Sequence, residues 1–215
     1  MARPETTDAG DSAPAPTLRS QHVEATRRAV LAAARAAFGT KGYAQTSVDE
    51  IAAAARVTKG AVYHHFSGKE ALFRAVWAEV EADATGRAAS AGDPASPPID
   101  QLVAKVDAYL EVALDEEVRQ ITLIDGPVVL GLEPEGPADQ TPGHLALRGF
   151  IAEAIGRGEL RDLDPGVFAH LVGGLALLGG LMIARAGQPE TTRATLAPAI
   201  ELMLRALGPG DGSAP

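Results

Sequence analysis

The stretch "VTKGAVYHHF", residues 57–66, has two unlike edges if it coils into a helix. Val57, Val62 and Phe66 fall on one edge at spacings that suit a core. Thr58, Lys59, Gly60, Ala61, Tyr63 and His64 are left for the other. Lys59 and Tyr63 are one turn apart, as are Gly60 and His64, so each pair shares a face. Lysine donates to guanine O6/N7 or to phosphate, and threonine and histidine bond base edges. A tyrosine hydroxyl suits a backbone phosphate. Gly60 costs about 1 kcal/mol of helix propensity, yet a residue with no side chain lets a helix backbone approach a duplex closely. The second edge reads as one made for a DNA groove.

Working outward, "SVDE" sets Ser47 three residues before Glu50, and "SGKE" sets Ser67 three before Glu70. Both match the capping box, in which a serine satisfies an orphan amide and a glutamate reaches back to the cap. They bracket a short helix over 47–54, a tight link at 55–57, a second short helix over 58–65 and a longer one from Gly68 toward Arg87. Upstream, Val23, Ala29, Val30, Ala33, Ala34, Ala37 and Phe38 recur at helical spacing, so a first helix is expected from Gln21 to Phe38, closed by Gly39. Two short helices behind a longer one, joined by a three-residue link, describe a helix-turn-helix. Phe38, Val48, Ile51, Ala52, Val57, Val62 and Phe66 are its expected core. The Ser47 and Gly68 helix starts add amides and positive dipole ends for phosphate, with Lys69 adding a charge.

Charge is divided along the chain. Residues 18–80 hold nine Lys/Arg against five Asp/Glu, whereas residues 81–215 hold nine against twenty, so a net charge of −9 conceals a basic module on an acidic body. That asymmetry suits one end meeting a polyanion while the other repels indiscriminate binding. Cysteine is absent, which excludes disulfides and thiolate metal sites and fits a cytoplasmic protein. The adjacent His64 and His65 point about 100° apart on a helix and cannot chelate one metal. With no Gly-rich phosphate loop, G-x-S-x-G or H-E-x-x-H, neither an enzyme nor a cofactor is expected.

From Arg27 to Val76, "RRAVLAAARAAFGTKGYAQTSVDEIAAAARVTKGAVYHHFSGKEALFRAV" resembles the DNA-binding domain of the TetR/AcrR family of bacterial regulators. The landmarks stand in order: F-G-x-K-G-Y, T-S-V-x-x-I-A, V-T-K-G-A-V-Y-H-H-F and K-E-A-L. The resemblance implies a homodimer whose larger second domain binds a small molecule and thereby releases DNA. It also implies that Thr46 and Ser47 touch phosphate, that Thr58, Lys59, Gly60, Ala61 and His64 face the groove, and that Tyr63 and Lys69 hold the backbone. Ala61 stands where many members carry a hydroxyl or larger residue, which reduces readout there to apolar contact. "IDGPVVLG" (124–131) resembles a segment of a subgroup of these regulators.

The rest of the chain reads as all-α, with no alternating strand pattern. The expected division is a disordered tail over 1–17 without a signal-peptide h-region, the DNA-binding domain over 18–67, a connecting helix over 68–89, a ligand-binding and dimerisation domain over 90–208 and a tail over 209–215. Body helices are expected at 98–114, 116–124, 144–157, 165–186 and 189–207, with Asp125-Gly126-Pro127 an interruption and 131–143 a loop. The longest apolar run, 171–184, is 14 residues. A membrane span needs roughly 20, so a soluble chain with no membrane partner is expected.

Residues 81–215 hold three aromatics, Tyr109, Phe150 and Phe168. A cavity there would be mainly aliphatic and suit a lipophilic effector, with Arg119, Asp125 and His144 as further anchors. Ala169, Gly173, Ala176, Gly180 and Ala184 form a stripe of small residues down one helix, which suits either a partner's helix or close packing inside one protomer. With Leu196, Ile200, Met203 and Leu204 of the last helix, the first option builds an intersubunit four-helix bundle, the arrangement the resemblance implies. The competing classes are a constitutive DNA-binding protein with a ligand-blind body and a helical lipid carrier.

Overall fold

The structure, a computed structural model, describes residues 18–131 and 142–208. Among them there are helices and connections but no strands. The tails over 1–17 and 209–215 and nearly all of the 131–143 loop lie outside the described residues.

Helix α1 (Leu18–Gln45) runs past the expected stop at Gly39 and breaks instead at Gly42, whose φ of 77° and ψ of 166° belong to the region that favours glycine. Space fixes Gly42 as well, because a Cβ there would lie 2.9 Å from Gln120 Nε2. α2 (Val48–Ala54) and α3 (Lys59–His65) follow, joined through Arg56, which takes a left-handed φ of 57° at the corner. α4 (Lys69–Ala89) starts on Gly68 with no side-chain cap, so the second expected box does not form; Ser67 stands one residue too early.

The core of this end gathers Val30, Ala34, Phe38, Ile51, Val62 and Phe66 with Leu72, Phe73 and Val76 of α4. Phe38, Tyr43 and Phe73 meet as a ring cluster with centroids 5.0–5.8 Å apart. The core does not stop at α4. Val112, Val118 and Ile121 join it, and Arg35 of α1 binds Glu117 and Asp83 at 2.8 Å each.

The body comprises α5 (Pro98–Val112), α8 (Pro142–Gly156), α9 (Pro165–Ala184) and α10 (Pro189–Arg205) around Leu102, Leu110, Ile151, Phe168, Val172, Ile183 and Leu204. Asp164 caps α9 through Val167 N, with Pro165 in the first turn. Asp125-Gly126-Pro127 does not interrupt helix. The chain passes from α6 (Glu116–Val118) through a π-turn (Arg119–Asp125) into α7 (Gly126–Leu130). Pro127 explains the departure. It has no amide to donate, and its ring crowds the carbonyl four residues back. The coil widens before it, and Gly126 N donates to Ile121 O, five residues back.

The small-residue stripe of α9 faces inward. Ala169, Ala176, Gly180 and Ala184 are buried within the protomer and Gly173 is half-buried. A Cβ on Gly180 would lie 3.3 Å from Tyr109 Cε1 and 3.6 Å from Leu123, and one on Gly179 would lie 2.7 Å from Leu110. At Gly179 and Gly180 the small residues seat α9 on α5 and the π-turn, so there the stripe serves packing inside the protomer, whereas a Cβ on Gly173 would meet nothing within 4 Å among the described residues. Ile200 and Leu204 of α10 are also buried in the body core, Leu196 is half-buried, and Met203 alone of that group is exposed. What α9 and α10 turn outward is a different row: Val167, Leu171, Leu178 and Met182, with Leu202 and Met203. At 20 residues, α9 is longer than the 14-residue run, and by length and composition alone it could cross a membrane.

Candidate nucleic-acid interface

Local hydrogen bonding sets the two short helices. Ser47 Oγ accepts from Glu50 N at 3.2 Å, and Glu50 Oε2 accepts from Ser47 N at 2.9 Å, closing the expected box. Lys41 Nζ adds an ion pair to Glu50 at 3.0 Å. The Ser47 amide, with Lys41 behind it, pulls the Glu50 carboxyl down to about 2. Thr58 caps α3 by accepting from Ala61 N at 3.2 Å. The turn closes on backbone bonds, among them Val57 N to Ala52 O at 2.9 Å.

This frame turns Thr58, Lys59, Gly60, Tyr63 and His64 to solvent, with Ala61 half-buried beside them. Val62 and Phe66 anchor the reverse side. Among the described residues no contact requires glycine at 60: the one atom within 4 Å of a Cβ there would be Thr58 Oγ1, at 3.8 Å. Lys59 is not loose. Its Nζ donates to Asp49 Oδ2 at 2.8 Å, a bond that raises the Lys59 pKa. Lys69 Nζ lies 4.1 Å over the Tyr43 ring and is half-buried there.

Thr46 departs from its expected place. It is 2 % exposed, and its hydroxyl donates to Gly42 O at 2.9 Å and Ala37 O at 3.2 Å. It ties the end of α1 to the corner and offers no oxygen or proton outward. Sequence reasoning also missed Asp49, the partner of Lys59, although a carboxylate on the second residue of a capped helix beside a basic helix is a readable signal.

The candidate pocket residues do not form one site. Tyr109 and Phe150 pack against the body core, in which Phe168 is fully buried. Burial pushes the Tyr109 phenol up, and the charge of Glu81 adds to that; burial raises the Glu81 carboxyl too. Glu81, on α4, is a charged residue acting on Tyr109 that the sequence pattern does not single out. His144 stacks edge-on to His170 at 6.2 Å, between α8 and α9. Arg119 and Asp125 belong to the π-turn, and Asp125 faces the DNA-binding end, where its carboxylate accepts from Tyr43 N at 2.7 Å and Gln120 Nε2 at 3.0 Å. Asp125 is therefore corrected from a pocket anchor to a bond between the two ends of the molecule.

Comparison with known proteins gives a separate match at each end of the chain. Residues 30–76 match the family described as bacterial regulatory proteins, tetR family, and residues 99–207 match a tetracyclin repressor-like C-terminal domain. The chain is 44% identical over 57 residues to the HTH-type transcriptional regulator AcrR of Shigella flexneri, covering 26% of each chain. It is 31% identical over 106 residues to the HTH-type transcriptional regulator TtgR of Pseudomonas putida, covering 48% of this chain and 50% of that one. These alignments thus span between a quarter and a half of the relatives' length. The crystal structure of a TetR-family transcriptional regulator from Pectobacterium atrosepticum superposes with a TM-score of 0.78 and 34% identity, covering 87% of this chain and 96% of that one. A helix-turn-helix at one end, a C-terminal domain matched over its whole body and this full-length likeness agree: the chain belongs to the TetR family of bacterial transcriptional regulators.

Proposed function

We propose that the protein is a homodimeric repressor that holds a pseudo-palindromic operator and leaves it when a small lipophilic molecule enters the body. The observation that carries the DNA half is the outward face of α3, where Thr58, Lys59, Gly60, Tyr63 and His64 stand clear of the protein on a helix anchored from behind. Ser47 at the start of α2 and Lys69 at the start of α4 flank it as phosphate contacts, and Ala61 offers a methyl group to the groove.

The dimer reading rests on the outward row of α9 and α10. Leu202 is 73% exposed, Val167 60%, Leu171 58% and Leu178 57%. Exposed large apolar side chains recurring on one face of α9, with Leu202 and Met203 of α10, suit a cover. A second copy supplies one with the two-fold symmetry that a palindrome needs, placing two α3 helices about 34–36 Å apart on successive major grooves. A bilayer suits the row less well, because α9 buries its other face against α5, α8 and α10 of the same protomer.

The body core is largely Leu, Ile and Val, which supports an apolar effector. An effector that prefers one body conformation shifts the population toward it, and DNA weakens that effector's binding by the same factor. Selecting bound duplexes from a random pool, then titrating the recovered DNA against dimer concentration, tests the reading. A recovered palindrome occupied by one dimer is expected. Failure to retard any duplex at modest ionic strength would overturn it.

A further inference from the structure

The π-turn over 119–125 occupies an unusual place, for its residues divide between the two cores. Ile121 is buried with the helix-turn-helix residues, whereas Leu123, two residues on, is buried with the body. On the body side, Leu123 and Tyr109 converge where α9 carries Gly180. On the other side, Asp125 holds the amide of Tyr43, and Gln120 steadies Asp125. Tyr43 follows the break at Gly42 and lies three residues before Thr46, whose hydroxyl closes that corner; Ser47, the cap of α2, comes next. One short segment therefore joins the centre of the body to the chain entering the DNA-binding helices.

The segment is also poised to change. A π-turn is a rare, wide form of helix that occurs mostly in single-turn pieces at functional places. Tightening to α register would turn Asp125 relative to the preceding helix by about 100°, one residue's share of a 3.6-residue turn, and so remove it from Tyr43 N. Beside the turn, the buried Trp77 indole N–H meets no hydrogen-bond acceptor among the described residues, and a Cβ on Gly126 would lie 2.7 Å from it. Packed elements with two discrete arrangements are what carry coupling between distant sites.

We propose that the π-turn is the switch that converts the packing state around Tyr109 and Leu123 into the position of the α1–α2 corner, with the Asp125–Tyr43 bond as its output. The proposal deepens the reading of the body as a sensor, but its test needs neither DNA nor effector, so failure of one can be told from failure of the other.

The measurement is amide hydrogen exchange at Tyr43 in the full chain. Leu123→Val should speed that exchange by about threefold or more, as for residues sharing a network. Ile151→Val, a truncation of similar size elsewhere in the body core, should leave it unchanged. In an Asp125→Ala background, where Tyr43 exchange is already fast, Leu123→Val should add nothing; Asp125→Ser takes that place should the alanine variant not fold. The proposal is overturned if Leu123→Val leaves Tyr43 exchange alone, if Ile151→Val matches its effect, or if the effect of Leu123→Val persists without the Asp125 carboxylate.

Discussion

Lys59 Nζ lies 2.8 Å from Asp49 Oδ2, so the basic residue of α3 is already paired within the free protein. Both side chains are more than half exposed, so solvent screens the pair and it adds little to stability. On the proposed reading, the bond must open, or be shared, for Lys59 to reach phosphate or a base. Asp49→Ala should therefore tighten DNA binding several-fold, by freeing the lysine and removing a repelling charge, while hardly changing Tm. Lys59→Ala should weaken binding by about 1–3 kcal/mol. Fluorescence anisotropy on one selected duplex checks both, and equal loss in the two variants would remove Asp49 from this role.

Gly60 separates what the fold needs from what DNA needs. A methyl group there meets only Thr58 Oγ1 at 3.8 Å, so Gly60→Ala should stabilise the free protein by up to about 1 kcal/mol through helix propensity. The same methyl group would stand between α3 and a duplex. Thermal melting should rise while DNA affinity falls. A variant that gains stability and keeps full affinity would place the groove contact elsewhere on α3.

At the far end, two substitutions on the same helix should part company. Gly180→Leu drives a side chain into Tyr109 and Leu123, an overpacking expected to cost about 1–3 kcal/mol. It should lower Tm whatever the oligomeric state. Leu178→Glu places a charge on the outward row of α9 and should leave helicity intact while yielding a monomer by light scattering. A Leu178→Glu protein that remains dimeric would move the partner's seat off α9.

The helix-turn-helix was legible because its determinants are local. Ser47 and Glu50, Thr58 and Ala61, and the apolar spacing from Val48 to Phe66 all act within a few residues. What misled was settled at long range. Gly39 and Gly42 are equal candidates for ending α1, and the choice falls to Gln120 and Asp125, some 80 positions away. The period of small residues in α9 marks a close-packed face, but not whether the neighbour belongs to the same protomer. The π-turn was invisible, since pattern reading compares a segment with periods of 2 and 3.6 only. Residue type alone marks the pocket candidates, whereas Arg119 and Asp125 lie on a boundary that no single stretch of sequence defines.

Acid should reveal how firmly α2 is started. Glu50 is held down to about 2, first by the Ser47 amide and then by Lys41, against an ordinary value near 4.5. A carboxyl lowered in the folded state adds stability that is full above the unfolded value and lost as pH falls toward the folded one. The stability difference between the parent and Glu50→Gln should thus be constant near neutrality and shrink between about pH 4.5 and pH 2. Ser47→Ala removes the other half of the box and should cost about 1 kcal/mol. If Ser47 is the phosphate contact proposed above, this loss should be matched by weaker DNA binding of every sequence alike. Chemical denaturation across the pH range, paired with affinities for two unrelated duplexes, checks both halves. A Ser47→Ala effect confined to one duplex would mean that Ser47 reads bases rather than backbone.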